Sequence, residues 1–166
     1  MKTLIIYYSY EGNTEFMARS LAEHLKADML KLEPVNEQKH SGFMKYVWGG
    51  KQVFMNRRPE LKPLDKNPAD YELLIIGTPV WAFTHTPALS TFLQNTTIKG
   101  KKIILFCCSQ GGNGNVFKNL RAKLEGNEIL GQMPFYEPKS HNPGENAHKA
   151  KAWVEGLLVF DKREQF

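Results

Sequence analysis

Between Ser9 and Thr14 the chain reads Ser-Tyr-Glu-Gly-Asn-Thr, after an apolar run and before a stretch with helical spacing. Ser9 and Thr14 bring hydroxyls, Gly12 permits a tight turn, and the amides of Tyr10, Glu11, Gly12, Asn13 and Thr14 can converge on an anion at the positive end of a helix. Such a loop can cradle a phosphate. It has no lysine and does not fit GxxxxGK[ST], and GxGxxG is absent, so the nucleoside triphosphate and dinucleotide signatures both fail. Hydroxyls, amides and a helix dipole suit a single terminal phosphate held without a metal. The same residue types also favour helix starts, so the loop could be no more than a well-capped turn.

Two further loops carry residues of the right kind. Thr78, Pro79, Val80, Trp81, Ala82 and Phe83 follow an apolar run, and the aromatics Trp81 and Phe83 stand outside any periodic pattern. Aromatic rings near a phosphate site suit stacking on a planar heterocycle, although Trp81 could equally cover the end of a sheet. His85, just beyond, reads as a capping residue before it reads as a catalyst. The third loop, Ser109, Gln110, Gly111 and Gly112, precedes Asn113 and Gly114. Its glycines let backbone pass close to a flat ligand, or simply make the loop flexible.

These loops need a scaffold. Five apolar stretches, at 3–9, 27–34, 72–79, 102–109 and 127–135, are continuous rather than alternating, as expected of strands buried on both faces. Helical spacing lies between them. After Gly12, Met17, Leu21 and Leu25 share a stripe with Ala18 and Ala22, and Phe16 falls off it. Pro87 opens a second helix with Leu89, Phe92 and Leu93, and Ala147, Ala150, Val154, Leu157 and Leu158 mark a closing one. The stretch 43–54 reads as helical but interrupted at Gly49 and Gly50. Alternation of strand and helix calls for a parallel sheet with right-handed crossovers and helices on both faces, an α/β architecture in one domain spanning 1–166. In such sheets ligands bind beyond the carboxyl ends of the strands, where these loops fall.

Charge and cysteine content narrow the function classes. The net charge is +5, and the segment 37–66 alone holds seven bases (Lys39, Lys45, Lys51, Arg57, Arg58, Lys62, Lys66) against three acids (Glu37, Glu60, Asp65). That is either a solvated surface or a patch that steers an acidic protein or a phosphorylated ligand. No nucleic-acid-binding motif is present, and the basic residues are not interleaved with aromatics as in single-strand binders. No run reaches the roughly 20 apolar residues of a membrane span, and the start lacks the features of a signal peptide, so a cytoplasmic protein is expected. Cys107 and Cys108 are adjacent and form no CxxC pair; they read as buried strand residues. Tyr46 and Trp48 could mark sheet cover or a dimer surface.

From Leu4 through Ser9 to Thr14, and on through Gly77 to Ala82, the chain resembles the flavodoxin family, and the match continues to the last helix. The resemblance implies a three-layer sandwich with a five-stranded parallel sheet in the order 2-1-3-4-5. It implies noncovalent FMN, with the phosphate at Ser9 to Thr14, the isoalloxazine between the second and third loops, Trp81 against the ring and Thr78 at the ribityl chain or ring edge. Two features differ from many flavodoxins: the third loop has no aromatic to sandwich the ring, and the chain is basic. The resemblance implies an electron carrier between redox proteins. The open third loop leaves room for an FMN-dependent oxidoreductase of the NAD(P)H:quinone type, with Arg57 or Arg58 receiving nucleotide phosphates, and a flavin-free binding domain is the third reading.

Overall fold

The computed structural model describes residues 1–37, 40 and 43–163, with Phe43 and Tyr46 described by their backbone. Lys39 and the side chain of Tyr46, named above for charge and for a dimer surface, lie outside the described residues. Five strands, β1 (Thr3–Tyr7), β2 (Asp28–Lys31), β3 (Leu73–Pro79), β4 (Lys102–Ser109) and β5 (Glu128–Tyr136), pair in parallel in the order β2-β1-β3-β4-β5. The connecting helices are α1 (Asn13–Leu25), α2 (Phe43–Phe54), α3 (Pro87–Asn95), α4 (Val116–Lys123) and the closing α5 (Pro143–Arg163). This is the expected sheet order, and each expected strand lies within a few residues of its observed position.

Alternation along the strands sends neighbouring residues to opposite cores, which is why their apolar runs are continuous. Ile5, Ile75, Ile104 and Phe106 pack with Met17, Ala18 and Leu21 of α1 and with Ala150 and Val154 of α5. Leu4, Ile6, Leu74, Ile76, Ile103 and Leu105 pack on the other face with Leu89 and Phe92 of α3 and with Val116 and Leu120 of α4. Cys107 and Cys108 divide between the two layers as buried small hydrophobes. Phe16, off the α1 stripe, is partly buried against the α1/α5 layer. The short α4 was not marked by sequence periodicity, since it spans only eight residues.

One expectation is corrected. The helix over 43–54 runs unbroken through Gly49 and Gly50. Each helical glycine costs about 1 kcal/mol relative to alanine, and here tertiary packing offsets that cost. Gly49 is buried, and a Cβ on it would touch the Trp81 indole at 3.5 Å, while Trp48 stacks on Tyr10 with ring centroids 5.8 Å apart.

Two close approaches fix the layers. A Cβ on Gly77 in β3 would lie 2.1 Å from Phe106 Cζ, and one on Gly131 in β5 would lie 2.6 Å from Leu157 Cδ1 of α5. At the far end of the sheet Lys102 Nζ meets the nearly buried Asp161 carboxylate at 2.5 and 2.6 Å, tying α5 to β4. We expect Gly77→Ala to lower the unfolding free energy by about 1–3 kcal/mol through overpacking. Urea denaturation should show it, with part of the loss recovered when Phe106 is also shortened to leucine; an unchanged midpoint would contradict the packing described.

Candidate functional site

A crevice of about 400 Å³ opens beyond the carboxyl ends of β1, β3 and β4, where strand order reverses between β1 and β3. Small-molecule sites usually measure about 300–1,000 Å³. Three loops meet there: Ser9, Tyr10, Glu11, Asn13 and Thr14 from the first, Pro79 to Phe83 from the second, and Ser109 to Gly112 from the third. The floor includes Cys108, and α2 closes one side with Lys45, Gly49 and Gly50.

At the first loop, β1 delivers the chain to α1 through Gly12, whose φ of 95° is a left-handed conformation that glycine adopts without strain. Gly12 lies behind the crevice wall rather than in it. No side chain caps the helix from this position. Ser9 Oγ accepts the Glu15 amide at 3.1 Å, which leaves its hydroxyl proton to donate elsewhere. Thr14 is 1% exposed, and its Oγ1 has no hydrogen-bond partner in the protein; the weakly polar thiol of Cys108 lies beside it. A buried orphan hydroxyl in the first turn of a helix is costly unless a ligand supplies the missing partner.

The loop after β5 adds a cation that the sequence reading did not include. The Lys139 amide donates to Asn13 Oδ1 at 3.0 Å, and its ammonium sits 3.2 Å from where a Cβ on Gly12 would stand. The phosphate-type loop thus lacks a lysine of its own but receives one from 126 residues downstream.

The second loop turns sharply. Trp81 and Thr84 exchange backbone hydrogen bonds of 2.9 and 3.0 Å, while Ala82 and Phe83 take φ values of 44° and 65°. Two successive left-handed residues define a hairpin turn that ordinarily prefers Asn-Gly, so alanine and phenylalanine hold it under strain. The adjoining third loop supports it. The Asn115 amide donates to the Phe83 carbonyl at 2.8 Å, and that carbonyl lies 2.5 Å from where a Cβ on Gly114 would be. Phe83 is left 77% exposed at the crevice mouth.

Trp81 is half-buried in an aromatic group. Its ring meets Tyr8, Tyr10 and Trp48 edge-on, with centroids 5.7, 5.6 and 5.4 Å away. Tyr8 donates its hydroxyl to Glu37, and burial together with that carboxylate holds its ionisation far above the usual range. Thr78, expected beside a ribityl chain or ring edge, is fully buried and not among the residues lining the crevice; its hydroxyl donates to the Pro79 carbonyl at 2.9 Å and accepts the Thr86 amide at 3.3 Å. His85 is also buried, pairing with Ser90 Oγ at 3.0 Å, and burial lowers its pKa to about 4.

In the third loop the Glu137 amide donates to the Ser109 carbonyl at 3.0 Å, and Gln110 Nε2 donates to Glu137 Oε1 at 2.7 Å. Across the crevice, Lys45 and Glu11 form an ion pair of 2.5 Å. Among the described residues no group of three or more His, Cys, Asp or Glu could hold a metal. The crevice therefore has one end rich in amides and hydroxyls and another that is aromatic. Lys45, Gly49 and Gly50 were missed because sequence spacing cannot show that α2 folds back over Trp81.

The sequence profile of the flavodoxin family matches residues 2–157. This chain belongs to the flavodoxin family. Solved structures agree on the fold. A Bacteroides eggerthii protein, provisionally called a flavoprotein, superposes with a TM-score of 0.75 at 23% identity, over 95% of this chain and 98% of its own. A Lactobacillus acidophilus flavoprotein, solved in complex with FMN, has a TM-score of 0.68 at 23% identity, covering 86% and 97%. The two-electron reduced flavodoxin of Megasphaera elsdenii has a TM-score of 0.55 at 18% identity, covering 90% and 98%. No curated protein matches the chain in sequence. Among the described residues, no helix of this family member is long and apolar enough to cross a membrane.

Both cysteines are inert by position. Burial pushes the Cys107 thiol up to about 12 and the Cys108 thiol still higher, although Cys108 touches the crevice. Since the thiolate is the nucleophile, we expect neither to react with Ellman's reagent at pH 8 in the native protein and both to react in denaturant. Rapid labelling of native Cys108 would show the crevice floor to be open.

Proposed function

We propose that the crevice holds FMN noncovalently and that the protein transfers electrons between redox partners. The observation that carries this reading is the buried Thr14 hydroxyl in the first turn of α1, which has no hydrogen-bond partner among the described residues, with the Lys139 ammonium beside Gly12. A dianionic phosphate monoester satisfies all three groups: it accepts from Thr14 Oγ1 and the first-turn amides, it faces the positive helix end, and it pairs with Lys139. The Ser9 proton is a further donor. Trp81 and Phe83, with the backbone of Ser109 to Gly112, would hold the planar ring. The flavoprotein neighbour with bound FMN supports the same cofactor.

When bound, FMN supplies the reversible acceptance of one or two electrons. The chain's own residues would bind and orient it: α2 lays Gly49 and Gly50 along one side of the crevice, where the rings of Trp48 and Trp81 meet edge-on. A shuttle between proteins requires no acid or base. The bases among the described residues of 43–66 favour an acidic redox partner by steering. A second reading, hydride exchange with NAD(P)H or a quinone, draws on the third loop, which places no aromatic ring over the site and leaves one approach open.

Titrating the apoprotein with FMN and with riboflavin, followed by flavin fluorescence, tests the assignment. FMN should bind far more tightly, and Thr14→Val and Lys139→Ala should each weaken FMN by roughly tenfold, about 1.4 kcal/mol, while leaving riboflavin unchanged. Failure of either flavin to bind would sink the proposal. Stepwise reduction of the holoprotein separates the two readings: two resolved one-electron stages support the shuttle, whereas a single two-electron stage supports hydride exchange.

A further inference from the structure

Beside the crevice lies a second cleft of about 190 Å³, enclosed by the end of α2, the start of α3 and the end of α4. Arg57, Arg58 and Lys123 line it together with the polar side chains of Gln52, Asn56, Thr84 and Ser90, and no carboxylate does among the described residues. None of the three cations has an ion-pair partner among the described residues, whereas Lys45 at the neighbouring crevice is paired with Glu11. The buried His85 at its base is held neutral by burial and by nearby Lys123, with both ring nitrogens taken up by Ser90 and Thr84. The positive potential there thus comes from three uncompensated side chains.

The cleft and the crevice share their walls. α2 contributes Gly49 and Gly50 to the crevice and Gln52, Val53 and Asn56 to the cleft; the second loop contributes Phe83 to one and Thr84 to the other. The crevice and the cleft therefore adjoin along α2 and the second loop. A volume of 190 Å³ suits one or two phosphates rather than a whole nucleotide, given roughly 30 Å³ per water of liquid. Two guanidinium forks and a lysine match a polyanion with several terminal oxygens; a monocarboxylate would leave most of that charge unmet.

We infer that this cleft is a second anion site, which takes the phosphate groups of a nicotinamide nucleotide whose other end lies at the mouth of the crevice. The anion site stands on its own residues; the placement of the rest of the ligand rests on the FMN reading.

The test is calorimetric titration of the FMN-saturated protein, in low-salt buffer without phosphate, with inorganic pyrophosphate, NADH and NADPH in turn. Pyrophosphate should bind saturably, and the exposed-site double variant Arg57→Ala/Arg58→Ala should weaken it by roughly tenfold or more, while Thr14→Val leaves it unchanged. No saturable binding, or equal affinity in the double variant, overturns the anion site. Nucleotide binding weakened in parallel supports the ligand class: an equal loss for both nucleotides places the pyrophosphate in the cleft, and a larger loss for NADPH places its additional phosphate there. Pyrophosphate binding without either nucleotide overturns that class. The affinity of FMN in the double variant should match the wild type. A chain that fails to bind FMN, yet binds pyrophosphate through Arg57 and Arg58, would sink the flavin reading and leave this site standing.

Discussion

The start of α1 has polar groups that the protein alone does not satisfy, and the rest of the site is arranged around that deficit. β1 is clamped between β2 and β3 inside the sheet, with its apolar residues in both cores, so the position of its carboxyl end is not adjustable. The chain must turn there through Gly12 and enter a helix whose first amides and buried Thr14 hydroxyl face inward. An unpaired buried donor costs on the order of 1–3 kcal/mol. A ligand anion would remove that cost, and this is the physical basis of the binding role proposed for the loop.

Charge around the crevice follows the same logic. Lys139 arrives from the opposite end of the chain to sit by Gly12, whereas Lys45 is matched by Glu11 and so adds little net field. At the aromatic end the strained turn of Ala82 and Phe83 is held by backbone contacts to Gly114 and Asn115. Strain of this kind persists only where surrounding structure over-determines it, and here its effect is to project Phe83 outward beside Trp81. Buried thiols and a neutral His85 leave the neighbourhood without a readily titrating nucleophile. That composition is consistent with the proposal of a bound ligand that brings its own chemistry.

Much of this was legible in the residues. Strands buried on both faces announce themselves as unbroken apolar runs, and β1, β3, β4 and β5 fell where those runs lie; the exposed edge strand β2 gave the weakest signal because only Leu30 is fully buried in it. The three loops were visible as hydroxyls, aromatics and glycines at strand ends. Periodicity misled at Gly49 and Gly50, where helix propensity argued for a break and packing on Trp81 overrode it. Thr78 is a different case: its position was legible, but which way its side chain turns depends on Thr86, which only the fold brings to it.

Local pattern therefore determined the layered sheet, its parallel sense and the loops at its carboxyl edge, because burial on two faces and turn chemistry are written in neighbouring residues. Tertiary structure alone decided that α2 closes the crevice, that Lys139 reaches the first loop, and that Arg57, Arg58 and Lys123 face one cleft. Those placements join residues tens to more than a hundred positions apart. Their physical cause is the packing of whole elements, which no local spacing encodes.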